Sequence, residues 1–268
     1  MSNAAHTTGL HPQPETDDAF LGGALNILQP KTGYRAGLDG ILLAASVAAG
    51  EGPQVLDIGA GVGVVGLAVA RRLADVHVTM IERDPSLAGL ARRNIERNDL
   101  AARVRLIEAD VARPLRDIAA LGAAAETFDH VLANPPYHIE GRGTAARDPV
   151  KAGANAMPDG DLDRWVRCMA AMARAGGTAT IIHRADALHA VLDALGGRFG
   201  GAAVLPIHPR AGEPASRVLI QAIKGSRAAL ELRPALVLHN ADHSFRPDVE
   251  AILRHGAALA LRKAPAGP

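Results

Sequence analysis

The run Val55-Leu56-Asp57-Ile58-Gly59-Ala60-Gly61-Val62-Gly63 constrains this chain most: an apolar stretch breaks into alternate glycines and then into the helical pattern of residues 64–73. Glycine adopts positive φ without a Cβ penalty and lets the backbone approach a ligand closely. The helix N-terminus beyond it favours a polar or negatively charged ligand group. The pattern then repeats. Strands are expected at 54–58, 77–81, 104–108, 130–133 and 177–183, with helices at 64–73, 85–97 and 161–174, and Asp84 as the N-cap of the second helix. Such alternation builds a mostly parallel, doubly wound α/β sheet with helices on both faces. The runs 203–207 and 216–223 are too close for a crossover and suit a hairpin, so the sheet of about seven strands is expected to end antiparallel.

The chain has 268 residues, 48% of them hydrophobic, enough for the core of one domain and incompatible with a wholly disordered chain. The expected layout is a flexible polar lead-in at 1–19, one domain at 20–258 (an N-terminal segment at 20–50, a core at 51–258) and a frayed tail at 259–268. Basic and acidic residues nearly cancel, at 29 and 28. No apolar run is long enough to span a membrane, and no signal peptide opens the chain. The single cysteine, Cys168, cannot form an internal disulfide. These features together point to the reducing cytoplasm. Cys168, between Trp165 and Met169, reads as core packing. His239 and His243 straddle a turn rather than share a helix face, so no metal site is expected.

Gly61, Gly63 and Gly66 also satisfy G-x-G-x-x-G, with Glu82 about twenty residues on, so a dinucleotide site is one reading. The acids argue for another. Asp57 precedes the glycines, where it would repel a pyrophosphate and attract an ammonium group. Glu82 ends the second of these strands, where it can accept both hydroxyls of a ribose. Asp110 follows the third, within reach of an adenine amine. An ammonium, a diol and an adenine amine on one molecule describe S-adenosylmethionine better than NAD. Further along, a buried strand ends in Asn134-Pro135-Pro136-Tyr137. Two prolines stiffen that loop at a strand's carboxyl end, where open α/β sheets bind ligands.

Asp57-x-Gly59-x-Gly61, Glu82, Asp110 and Asn134-Pro135-Pro136-Tyr137, in this order and spacing, resemble the Rossmann-like S-adenosylmethionine-dependent methyltransferases that modify planar nitrogens. The resemblance implies cofactor binding by Asp57, Gly59, Gly61, Glu82, Asp110 and Asn134, and catalysis by Asn134, Pro135 and Tyr137. An adenine amine is conjugated into its ring and is a poor nucleophile. The Asn134 side-chain oxygen and the Pro135 carbonyl can each accept one of its hydrogens as the nitrogen pyramidalises, while Tyr137 stacks on the base.

The likeness extends over about residues 18 to 255. Asp18-Ala19-Phe20-Leu21-Gly22-Gly23, Gln29-Pro30-Lys31-Thr32-Gly33-Tyr34-Arg35-Ala36-Gly37-Leu38-Asp39, Leu42-Leu43-Ala44-Ala45, His208-Pro209-Arg210, Ala215-Ser216-Arg217-Val218-Leu219-Ile220, Lys224 and Leu236-Val237-Leu238-His239, with Asn240 and Asp242, are similar to the tRNA1(Val) adenine-N6 methyltransferase family. This implies a tRNA partner and a target beside the anticodon of a valine tRNA. His138 departs from the family pattern, which has a second aromatic residue there. It is a substrate contact or a solvated loop residue.

Residues 201–268 carry nine Lys/Arg and five acids, a modest basic balance suited to phosphate contacts. The stretch 141–160, rich in Gly, Ala and Pro, is a substrate flap or plain disorder. Tyr34 and Arg35 line the cofactor pocket or form a local turn, and Asp39 is expected to cap a helix beginning at Gly40. Three other readings remain: a glutamine-amide methyltransferase acting on a protein, another nucleic-acid adenine-N6 methyltransferase, and a non-catalytic binding module that kept the fold.

Overall fold

The structure, a computed structural model, describes residues 14–33, 35–113, 115–136 and 161–262. It opens with an antiparallel hairpin, β1 (Glu15–Phe20) and β2 (Leu25–Pro30), followed by α1 (Leu38–Ala45). The βαβ alternation then runs through β3 (Gln54–Ile58), α2 (Val64–Arg72), β4 (His77–Glu82), α3 (Pro85–Arg97), β5 (Val104–Glu108), α4 (Leu115–Ala120), β6 (Phe128–Ala133), α5 (Asp161–Met172) and β7 (Ala173–Arg184). After α6 (Leu188–Leu195) come β8 (Phe199–Arg210) and β9 (Arg217–Lys224), the short β10 (Glu231–Leu232) and β11 (Leu236–His239), and α7 (Pro247–His255).

Among the described residues nine strands form one sheet, ordered β5-β4-β3-β6-β7-β9-β8, with β10 and β11 both on the outer edge of β8. The strands from β5 to β7 are parallel. β9 runs antiparallel between β7 and β8, so the expected hairpin is present. β10 and β11, parallel to β8, take the sheet past the seven strands expected.

Alternate residues of a strand face opposite sides, and the core divides accordingly. Val55, Met80 and Leu132 pack with α1, α2, α3 and α7, whereas Leu56, Ile58, Ile81 and Val131 pack with α4, α5 and α6. The Asp84 N-cap of α3 is as expected: its carboxylate accepts the Ser86 and Leu87 N–H groups at 2.8 and 3.2 Å.

Three expectations need correction. Residues 15–19 are not a loose lead-in but part of β1. That strand is polar because charge holds both its faces: Glu15 and Asp17 on one pair with Arg93 and Arg97, and Asp18 on the other pairs with Arg35, each at 2.7 Å. Residues 259–262 are docked rather than frayed. Leu259 N–H donates to the Ala45 carbonyl, Leu261 is buried, and Arg262 donates to the Gly201 and Gln221 carbonyls. Asp39 does not cap α1, which starts earlier, at Leu38 behind Gly37. Its carboxylate instead pairs with Arg217 on β9 at 2.9 Å.

Two buried asparagines one turn apart, Asn94 on α3 and Asn98 at its C-cap, hold β2 against the helix. Asn94 accepts from Leu28 N–H and donates to the Leu28 and Val62 carbonyls, while Asn98 accepts from Asn26 N–H and donates to its carbonyl. The Asn94→Ala variant leaves three backbone groups unpaired and is expected to lose about 3 kcal/mol in urea unfolding. An unchanged midpoint would show that water replaces the amide.

Candidate active site at the carboxyl ends of the strands

Strand register decides what meets what. Ile58 pairs with both Ile81 and Ala133, and Glu82 with Glu108. The next residues therefore form a row along the sheet's carboxyl edge: Asn134 after β6, Gly59 after β3, Glu82 closing β4, and Asp110 two residues past β5.

The glycine loop is built on hydrogen bonds to β4. Gly59 and Ala60 both donate to the Ile81 carbonyl, at 2.8 and 2.9 Å, and Gly61 N–H donates to Glu82 Oε2 at 2.7 Å. Gly59 and Gly61 have φ of +67° and +58°, a region that other residues enter only with strain. Gly59 has a steric reason as well, since a Cβ there would lie 2.2 Å from Cη2 of Trp165 on α5. The Glu82 Oε1 accepts the Arg83 and Asp84 N–H groups, so three backbone donors fix this carboxylate beside the loop.

Asp57 lies beneath the loop, 1% exposed, with Oδ2 accepting the Gly66 N–H in the first turn of α2 at 3.0 Å. Burial pushes its carboxyl up to about 7. The Gly66 bond pulls against that rise and the negative charge of Glu82 adds to it. The folded value exceeds the unfolded one of 3.8, so the protonated form favours the fold. This contribution is fully present below about pH 4 and is lost as pH rises through 7. The ligand-free protein is expected to lose stability over that interval by at most about 1.4 kcal/mol per pH unit. Thermal unfolding from pH 5 to 8 checks this, with Asp57→Asn expected to remove the slope; an equal slope in the variant would assign it elsewhere.

Asp110 is half-buried, and its Oδ1 accepts the Ala112 N–H at 2.8 Å, an Asx turn that orients the carboxylate. In the proline loop Pro135 is buried, with Asn134 and Pro136 half-buried. Tyr137, His138, Tyr34 and the 141–160 stretch lie outside the described residues.

The structure thus brings together Asp57, Gly59, Gly61, Glu82, Asp110, Asn134 and Pro135. It places Arg35 elsewhere, closing the hairpin against Asp18, Thr16 and the Pro30 carbonyl. The basic residues of the tail are largely partnered: Arg210 with Glu213, Arg217 with Asp39, Lys224 with Glu126, Arg233 with Glu231, Arg246 with Asp248 and Arg254 with Glu250. Four of these acids belong to the tail and are already in its count; Asp39 and Glu126 lie outside it and offset two of the four excess charges. Cys168 is buried, and burial pushes its thiol up to about 11, which makes it a poor nucleophile. Trp165, read from the sequence only as a neighbour of Cys168, sits on the glycine loop. Its rarity was the one available signal.

Glu82 and Asp57, two acids buried beside a loop that must accept close backbone approach, form a cradle in which a nearby cation favours the ionised form of Asp57. It fits a ligand that is cationic at one end and carries a ribose diol, and it disfavours a pyrophosphate, whose charge would face Asp57 and Glu82.

The methyltransferase small-domain family matches residues 39–162. A tRNA1(Val) (adenine(37)-N6)-methyltransferase of Aeromonas hydrophila is 29% identical over 213 residues, 79% of this chain and 85% of the relative. The relative of the same name from Shewanella sp. (strain W3-18-1) is 34% identical over 112 residues, 41% of this chain and 44% of its own length. Among solved structures, a predicted O-methyltransferase from Agrobacterium tumefaciens superposes with a TM-score of 0.70 at 37% identity, covering 83% of this chain and 98% of that one.

Proposed function

The chain belongs to the methyltransferase small-domain family of Rossmann-like, S-adenosylmethionine-dependent enzymes, and from that premise we propose that it methylates the exocyclic N6 of an adenine in tRNA, at the base beside the anticodon of a valine tRNA. The observation that carries the reading is the row along the sheet edge, in which Asn134 and Pro135 stand next to Gly59. The Aeromonas relative's name supports the tRNA substrate.

Each residue has a definable task. Glu82, fixed by three N–H groups, accepts the ribose hydroxyls, and Asp110 faces the cofactor's adenine amine. Asp57, buried beneath the glycine loop with its carboxyl raised to about 7, ionises as the cationic ligand binds and then attracts the ligand's ammonium group. The bound cofactor supplies a methyl group on a positively charged sulfur. Asn134 Oδ1 and the Pro135 carbonyl accept the two hydrogens of the target amine, directing its lone pair at that methyl. Tyr137 stacks on the base. The new N–C bond forms as the S–C bond breaks, and the nitrogen then releases one proton to solvent. A base held in folded RNA must first be turned out of its stack.

The Agrobacterium neighbour's name concerns an oxygen acceptor. A hydroxyl offers one hydrogen, whereas the Asn134–Pro135 pair offers two acceptors, which matches an amine or an amide. The glutamine-amide reading usually brings a helical domain before the glycine loop. Here the described residues before β3 form a hairpin and α1. Labelled methyl transfer from S-adenosylmethionine to unmodified tRNA, followed by nucleoside analysis, tests the proposal. N6-methyladenosine is the expected product, and label in protein glutamine instead would overturn the substrate.

A further inference from the structure

Trp165 is the only tryptophan in the chain, and it stands in the first half of α5, half-buried. The benzene edge of its indole fills the space over Gly59: a Cβ built there would lie 2.2, 2.9 and 3.3 Å from Cη2, Cζ3 and Cζ2. The apolar face of α5 that serves the core is made by Val166, Met169 and Met172, all fully buried. Trp165 keeps part of its surface open at the sheet's carboxyl edge instead.

The strand order says which part of the cofactor comes nearest. The methyl acceptor is held at Asn134, the neighbour of Gly59 across the β3–β6 pairing. Glu82 is one strand further from Asn134 and Asp110 two, on β4 and past β5. Ribose and adenine therefore belong on that side, and the sulfonium belongs beside Gly59, next to the indole. A cation is attracted to the face of an electron-rich ring and not to its edge; with the benzene edge turned to Gly59, the sulfonium is assigned to the ring's face, and the sulfur is cationic before methyl transfer and neutral after it.

We propose that Trp165 is a cofactor-binding residue that holds the sulfonium end of S-adenosylmethionine against Gly59 and distinguishes it from the neutral product S-adenosylhomocysteine. The inference rests on the methyltransferase reading and is independent of which acceptor is methylated. The same contact eases product release, because the attraction disappears with the charge.

Emission from the single tryptophan reports on the contact directly. The wild-type protein is titrated with S-adenosylmethionine, S-adenosylhomocysteine and unmodified tRNA, while calorimetry gives affinities for the wild type, Trp165→Leu and Trp165→Phe. Both cofactor forms are expected to change the emission saturably, with midpoints matching the calorimetric ones. Trp165→Leu is expected to weaken S-adenosylmethionine about tenfold and S-adenosylhomocysteine by less than about threefold, and Trp165→Phe to keep most of the preference. Equal weakening of both ligands would reduce Trp165 to a packing role and overturn the proposal. So would emission that answers tRNA but not the cofactor. If calorimetry finds neither cofactor form binding to the wild type, the methyltransferase reading falls along with it.

Discussion

Asn134→Ala is expected to lower single-turnover methyl transfer to tRNA by about a thousandfold, the order seen when one preorganised polar partner of a developing charge is removed. The amine becomes a nucleophile only as its lone pair leaves conjugation with the ring, and that change builds positive charge on its hydrogens. In the proposed reaction Asn134 Oδ1 accepts one of them, in a stiff loop where the acceptor need not reorganise. Alanine leaves the Pro135 carbonyl alone to do so. The glycine loop, Glu82 and Asp110 are untouched, so cofactor affinity should shift by no more than about threefold, within the range of one lost exposed hydrogen bond. Calorimetry with S-adenosylhomocysteine and rapid-quench kinetics separate the two quantities. A variant that keeps its rate, or loses cofactor binding in step with rate, would move Asn134 out of the transfer step.

Gly59→Ala should be the most damaging single methyl group in the molecule. A φ of +67° costs an alanine about 1–2 kcal/mol. The added Cβ at 2.2 Å from Trp165 Cη2 forces the ring away, at a further cost of about 1–3 kcal/mol. Urea unfolding is expected to show the sum, about 2–5 kcal/mol, with cofactor binding lost because the loop can no longer keep its bonds to Ile81. Adding Trp165→Ala removes the clash but not the backbone strain. The double-mutant cycle should therefore return a favourable coupling of about 1–3 kcal/mol. Strictly additive losses would mean that ring and glycine do not press on each other.

Much of this architecture was legible because its signals are local. The 2- and 3.6-residue periods placed β3, β5 and α3 at the ends observed, Asp84 capped α3 as its position suggested, and the glycines marked the strand-to-helix turn. The acids at successive strand ends and the Asn134-Pro135-Pro136 loop were expected along one edge because parallel βαβ units align their carboxyl ends. The short helices α4, α6 and α7 escaped, being too brief for periodicity to separate from loop.

By itself, then, the sequence determined the order of β3 to β9 and of α2, α3 and α5, and which polar groups stand at the strand ends, through φ preferences and periodicities that operate within a few residues. Only the tertiary structure decided partners. Asp39 looked like a cap and instead pairs with Arg217, 178 residues away. The polar residues of β1 looked unstructured until Arg93 and Arg97 of α3 came to meet them, and two cations of the basic tail, Arg217 and Lys224, pair with Asp39 and Glu126 far away in the chain. Asp57 acquires its raised pKa, and Trp165 its place over Gly59, from the same source. Burial and long-range contact belong to the packed assembly of elements, and no local pattern in the chain carries them.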